Sequence, residues 1–215
     1  ERYIDSLKRE TDLASHPFFG KLRLNEVPIE NFVRTQERFY HVVQFISRPM
    51  LALASNIESY SPCWKVLENV IDEHGTGDRS GYHGKTYLDF LESIGSDPSA
   101  VAGSGPHPDA EEFNRTLLSE CKNRSWVRSA PMIGIMEDRF IEISSITIKF
   151  VEDTGLAQGD VPHFKLHKEI DLGHANDLYS LVSDRWGSPK DRELIESGLR
   201  DGNRMLLDLF ISICR

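Results

Sequence analysis

The sequence predicts an all-α fold, and three observations carry that reading. Apolar residues recur every three or four positions through most of the 215-residue chain, the spacing of one helix face. No segment sustains a period-two alternation between turn signals at strand spacing. Proline and glycine interrupt the helical stretches often enough to cut the chain into roughly seven or eight helices. Residues 1–215 read as one domain, without an internal repeat.

A short helix is expected over 1–14, with Tyr3 or Ile4, Leu7 and Thr11 on one side. His16-Pro17-Phe18-Phe19-Gly20 then breaks it, because proline restricts its predecessor and glycine frees its own backbone. A long helix is expected from about Pro28, which suits a first helical turn, to Ile57. Its stripe is Phe32, Phe39, Tyr40, Val43, Ile46 and Met50, with a kink at Pro49. Further helices are expected over about 62–74 and 81–94, separated by Gly75, Gly77 and Gly81. Residues 96–110 form a Pro- and Gly-punctuated connection. A modest helix over about 109–121 precedes the longest apolar one, about 127–152, which Thr154-Gly155 ends. The stretch from His163 to Leu181 is helical, and after the turn Trp186-Gly187-Ser188-Pro189 the last helix runs over about 189–213.

The formal net charge of −9 argues against a nucleic-acid or anionic-membrane partner. No apolar run reaches the ~18 residues of a spanning helix, and no signal-peptide pattern opens the chain. Cys63, Cys121 and Cys214 are widely spaced. They suggest neither a disulfide framework nor a thiolate metal site, and a cytoplasmic location is expected.

The informative stretch is HFKLHKEIDLGHANDLYSL, 163–181. At ~100° per residue, His163, His167, Asp171 and His174 share an arc of roughly 80°, with Leu166, Ile170, Leu178 and Leu181 in or beside it. Each polar side chain buried without a partner costs roughly 1–3 kcal/mol. Four on one stripe therefore call for a dense hydrogen-bond network or a metal, and imidazole with carboxylate is a transition-metal donor set. Other apolar stripes contain similar exceptions. Glu137 lies among Ile133, Phe140, Ile141, Ile148 and Val151, with Ser144 beside it. Glu73 lies at the edge of its helix's apolar face, His74 nearer the centre, and His83 heads the next stripe. Gln36 is inward and Glu37 marginal. Glu73, His83, Glu137, His167, Asp171 and His174 form the main set, with Glu37, His74 and His163 as further candidates. Ordinary roles stay open: Glu73 pairing with Arg79, His83 bonding backbone at a helix start, and Glu37 pairing with Arg34 or His41. Three carboxylates and three imidazoles from four helices suit two divalent irons or manganeses.

His167-x3-Asp171-x2-His174, preceded by Glu137, resembles the haem-oxygenase-like di-metal oxidases and oxygenases. So do Asp72-Glu73-His74-Gly75, His83 and Phe90-Leu91 with Gly95. Within that superfamily, which includes TenA, PqqC and CADD, the chain is most similar to the CADD-like branch. His16-Pro17-Phe18-Phe19 and the helix from Arg34 to Met50 extend the likeness over nearly the whole chain. The resemblance implies a bundle of about seven helices around a buried metal site. It assigns Glu73, His83, Glu137, His167, Asp171 and His174 as ligands, and in some relatives a carboxylate of the first long helix, here Glu37. It also implies two Fe ions, or Mn or a mixed Fe/Mn pair, with dioxygen acting on a small carboxylic acid or amine, and a homodimer. Alternatives are a CADD-like metal-binding interaction or regulatory protein with little turnover, and a metal-independent TenA/PqqC-like enzyme. CADD-type relatives consume a tyrosine and a lysine of their own. Here Phe18-Phe19 stands where the tyrosine would be, and Lys149 projects to the charged side of its helix. No cysteine is placed for TenA-type chemistry.

Overall fold

From the N-terminus, α1 (Arg2–Glu10) leads into a 3-10 turn over Leu13–Ser15 in the computed structural model, which describes residues 1–157 and 162–215. His16 organises the corner that follows. Its Nδ1 accepts from the backbone N–H groups of Phe18 and Phe19, and its Nε2 meets the carbonyl of Leu207 at 3.0 Å. Next come α2 (Phe19–Arg23), α3 (Ile29–Val43), α4 (Ser47–Ser55), α5 (Tyr60–Glu73) and α6 (His83–Ser93). They are followed by α7 (Pro98–Gly103), α8 (Pro108–Asn123), α9 (Trp126–Thr154), α10 (Pro162–Ser180) and α11 (Pro189–Ile213). The described residues contain no strand.

The all-α expectation holds, but where about seven or eight helices were expected the described residues form eleven, because the short α2, α4 and α7 add to the expected set. The expected helix from Pro28 to Ile57 is two helices. The break falls at 44–46, and Pro49 sits in the first turn of α4, where its missing N–H leaves no bond unmade. Within the connection at 96–110, α7 exists because the Asp97 carboxylate caps the N–H groups of Ser99 and Ala100. Gly155, at φ 63°, ends α9 in the left-handed conformation expected of a glycine cap.

The 29-residue α9 is the axis, with α10 and α11 packed along it. Gly198 and Gly202, one turn apart on α11, permit the closest approach. A β-carbon there would lie 2.1 Å from the carbonyl oxygen of Arg128 and 2.4 Å from that of Met132. Phe39 of α3 lies between Phe140 of α9 and Phe210 of α11, with ring centroids 5.4 and 4.9 Å away. No helix of the described residues is long and apolar enough to cross a membrane.

One buried cation ties the N-terminus to this axis. The Arg139 guanidinium reaches Asn203 Oδ1 at 2.7 Å, the carbonyls of Lys8 and Thr11 at 3.2 and 3.1 Å, and Glu142 at 3.2 Å. Arg139→Met would keep the aliphatic stem and orphan these acceptors. We expect a loss of about 3 kcal/mol, read as a lower urea midpoint at unchanged slope.

Candidate metal centre

Four helices supply the centre: α5 carries Glu73 at its last residue, α6 opens on His83, α9 holds Glu137 near its middle, and α10 contributes His163, His167, Asp171 and His174. All are buried except His83, which is partly covered. The inward face of α10 is polar as expected, but its apolar residues divide differently. Leu166 and Leu172 are exposed, and Phe164, Ala175 and Leu178 share the buried face with the imidazoles.

The donor atoms fall into two groups, each with all atoms within 4.8 Å of one another: His83, His163 and His167, and Glu137, Asp171 and His174. Glu73 stands between them. One carboxylate oxygen is hydrogen-bonded to His83 Nδ1, and the other lies 3.8 Å from His174 Nδ1. The His83 and His167 rings stack with centroids 3.9 Å apart, and His167 Nδ1 meets Asp171 Oδ1 at 3.2 Å.

The six main candidates and His163 are thus brought together; Glu37 and His74 are not. Glu37 accepts from Ser96 Oγ at 2.6 Å in a surface depression beside Arg34, Arg38 and His41. His74 caps the exposed end of α5, its Nδ1–H donating to the Val70 carbonyl at 2.8 Å. Two residues with no assigned part do join the centre. Asp72, one residue before Glu73, has its Oδ2 3.4 Å from His174 Nε2, because a carboxylate near a helix end can reach around its own turn. Thr86 Oγ1 lies 2.9 Å from His163 Nδ1; its position three residues after His83, on the same face, was the available signal.

Without a cation this is an expensive arrangement. Burial, and then the charges of Glu137 and Glu73, push the Asp171 carboxyl well above the carboxylate range. Burial also raises Glu73, against the opposing pull of His167 and His174. Burial lowers His83 to about 4 and His167 to about 3, and holds His163 well below the ordinary imidazole value. His174 goes the other way. Burial opposes its charged form, but Glu137, Glu73 and Asp72 outweigh that and raise it to about 9.

The fit to metal ions is read from His174. Its Nδ1 is buried without a hydrogen-bond partner, 3.7 Å from Glu137 Oε2 and 3.8 Å from Glu73 Oε1. Those separations are too long for hydrogen bonds. They match two donors on one ion, which at ~2.1 Å from it lie roughly 3–4 Å apart. Three carboxylates would offset three of the four charges of two divalent ions, relieving their mutual repulsion.

Against the imidazoles lies a cavity of about 40 Å³, lined mainly by apolar side chains including Phe39, Val43, Met136, Phe140, Phe164 and Leu206. Among the described residues Ser144 is the one lining polar residue outside the ionisable group, and its Oγ is buried without a partner there. None of the three cysteines lines this cavity.

A family model described as iron-containing redox enzymes matches residues 34–205. Among curated proteins, 4-chloro-allylglycine synthase of Streptantibioticus cattleyicolor is 23% identical over 190 residues, covering 86% of this chain and 71% of that protein. Among solved structures, a CADD-like protein of unknown function from Nostoc punctiforme superposes with a TM-score of 0.76 at 14% identity, over 100% of this chain and 98% of its own. A domain of unknown function with a heme oxygenase-like fold from Shewanella denitrificans gives 0.74 at 15%, over 98% and 86%. The TenA homologue from P. horikoshii gives 0.72 at 14%, over 99% and 98%.

The charge pattern predicts a distinctive titration. In metal-free protein followed by imidazole NMR, His174 should stay protonated through neutral pH and titrate near 9, while His83 and His167 stay neutral down to about 4 and 3. A proton on His174 competes with a cation, so divalent-metal affinity should rise with pH from neutral to about 9. Calorimetry in buffers of different ionisation enthalpy should detect the released proton.

Proposed function

The chain belongs to the family of iron-containing redox enzymes, and we propose that within it this protein is a non-haem two-iron oxidase or oxygenase. Its substrates would be dioxygen and a small carboxylic acid or amine; manganese or a mixed Fe/Mn pair is the variant of the same reading. The observation that carries the proposal is the convergence of Glu73 and Glu137 on an unsatisfied His174 Nδ1, in a group that also holds Asp171 and lies beside a second group of three imidazoles. Glu73, His83, Glu137, His167, Asp171 and His174 would hold the pair. When bound, ferrous ions would supply electrons to dioxygen and a Lewis-acidic position at which it is activated.

The chain's own part is to position, exclude and orient. Glu73, between the two donor groups, would help to hold both ions. Asp72 holds the outer nitrogen of His174, so its Nδ1 points at the carboxylates. The apolar wall of Phe39, Phe140 and Phe164 limits water at the reacting end. Among the described residues no lysine or arginine lines the cavity, so the charged group of an acid or amine would lie at the metals and carboxylates. Its apolar body would rest on the aromatic wall, with the Ser144 hydroxyl as the single hydrogen-bonding handle. At ~10–15 Å³ per water, the cavity of about 40 Å³ admits only the reacting end of such a molecule unless side chains move aside. The name of the related 4-chloro-allylglycine synthase, an amino-acid product, agrees with an acid or amine class.

Anaerobic Fe(II) titration should saturate near two ions per chain in this reading, and Glu137→Ala and His174→Ala should each lose metal. Full metal retention by either variant would remove these assignments. The iron-loaded protein should consume dioxygen faster with a suitable acid or amine. If it holds two irons and takes up none with any of them, a metal-binding regulatory role is the better reading. Ser144→Ala should weaken substrate binding by about 1 kcal/mol, roughly fivefold, visible in KM with kcat little changed.

A further inference from the structure

His163 has the surroundings of a metal donor. It lies one turn before His167 on α10, buried, with its ring centroid 4.6 Å from that of His167 and 5.1 Å from that of His83. The donor atoms of the three imidazoles are all within 4.8 Å of one another. Tyr87 and Phe164 pack edge-on against the ring, at 4.9 and 5.1 Å with interplanar angles of 90° and 87°. The imidazole plane is therefore held by packing.

The decisive contact is with Thr86. Thr86 Oγ1 lies 3.0 Å from the backbone carbonyl of His83, which can only accept, and we assign the hydroxyl proton to that contact. Its 2.9 Å contact with His163 Nδ1 is then an N–H of the imidazole donating to the hydroxyl oxygen. That assignment puts the proton on Nδ1 and leaves Nε2 with a free lone pair. No other hydrogen bond to the His163 ring is formed among the described residues, and the side chain lines the cavity. The neighbouring rings repeat the pattern. Nδ1 of His83 meets Glu73 and Nδ1 of His167 meets Asp171, and among the described residues Nε2 of each has no hydrogen bond. An imidazole whose outer nitrogen is engaged by an oxygen, with its inner nitrogen free, is how protein-bound metals are usually held.

We propose that His163 Nε2 is a seventh metal donor, completing with His83 and His167 a three-imidazole half of the centre, and that Thr86 is its positioning residue. The inference rests on the two-metal reading above and adds an asymmetry to it. One ion would sit among three neutral nitrogens, the other among Glu137, Asp171 and His174, with Glu73 between. Imidazole suits iron, cobalt and zinc, whereas carboxylate oxygen suits manganese. The two positions would therefore differ in metal preference and fill in sequence.

The test uses Co(II) and Fe(II) binding to the whole chain, read as metal count, stepwise affinity and imidazole scattering in metal-edge X-ray absorption. The variants are His163→Gln, Thr86→Val and Thr86→Ser, each checked for an unchanged circular dichroism spectrum. The wild type should bind two ions in distinguishable steps. His163→Gln should lose one imidazole per chain from the absorption spectrum and weaken one step at least tenfold, leaving the other within about twofold. Thr86→Val should weaken the same step by about tenfold, the usual effect of losing an outer partner, and Thr86→Ser should restore it. Two ions at unchanged affinity with an unchanged imidazole count in His163→Gln would overturn the inference while leaving the two-metal reading intact. Failure of the wild type to bind a pair would overturn both. Should His163→Gln misfold, the contrast between Thr86→Val and Thr86→Ser decides: equal affinities in those two overturn the proposal.

Discussion

The structure is governed by the cost of keeping Glu73, Glu137, Asp171 and four imidazoles away from water in one place. Neutralising three neighbouring buried carboxylates by protonation would spoil them as acceptors, and ionising them together is opposed by both desolvation and repulsion. The metal-free chain compromises: Asp171 and Glu73 are pushed toward the protonated form, three imidazoles are kept neutral, and His174 takes up a proton between the acids. Such a balance needs donors that cannot drift, and the helices provide it. α9 fixes Glu137 against α10 along a long shared interface, while α5 and α6 bring their ends, Glu73 and His83, into the same space.

This constraint also explains the unusual polarity of α10. A helix packed on a hydrophobic axis normally turns its leucines inward. Here the inward stripe is His163, His167, Asp171 and His174, and Leu166 and Leu172 face solvent. The inversion made the site legible, since four polar side chains at helical spacing have no cheap explanation on a buried face. Glu137 stood out for the same reason, as a carboxylate inside an apolar stripe. Spacing could not separate side chains near a helix end. Asp72 and His74 flank Glu73, yet Asp72 reaches His174 while His74 turns to its own backbone. Glu37 shows the complementary limit: a marginal angle on α3 was compatible with the centre, but the bundle places that edge beside Ser96 and the surface. The all-α class followed from periodicity. The break at 44–46 and the short α7 escaped it because each depends on a local backbone choice, at Pro49 and Asp97, more than on an apolar stripe.

Packing around the centre serves the same end. Gly198 and Gly202 bring α11 against α9, and the Phe39, Phe140 and Phe210 rings close the space between α3, α9 and α11. Phe39 and Phe140 also line the cavity. The stacked aromatics that stabilise the bundle thus form the dry wall beside the donors. Changes there would alter stability and access together, whereas Ser144, which packs no ring and bonds no neighbour, is free to be specific.

The division of donors has a consequence for how a reaction would be organised. The cavity is lined by His83, His163 and His167 and also by Glu137 and Asp171, so an incoming molecule would meet both donor groups. Carboxylates can shift between one and two bonds to an ion as charge changes, whereas an imidazole clamped at its outer nitrogen cannot. The imidazoles are accordingly the rigid donors: His83 is held by Glu73, His163 by Thr86 and His167 by Asp171. Glu137 and Asp171, which line the same cavity, are the adaptable ones. A centre built this way would hold its imidazole geometry constant and take up changes in charge at its carboxylates.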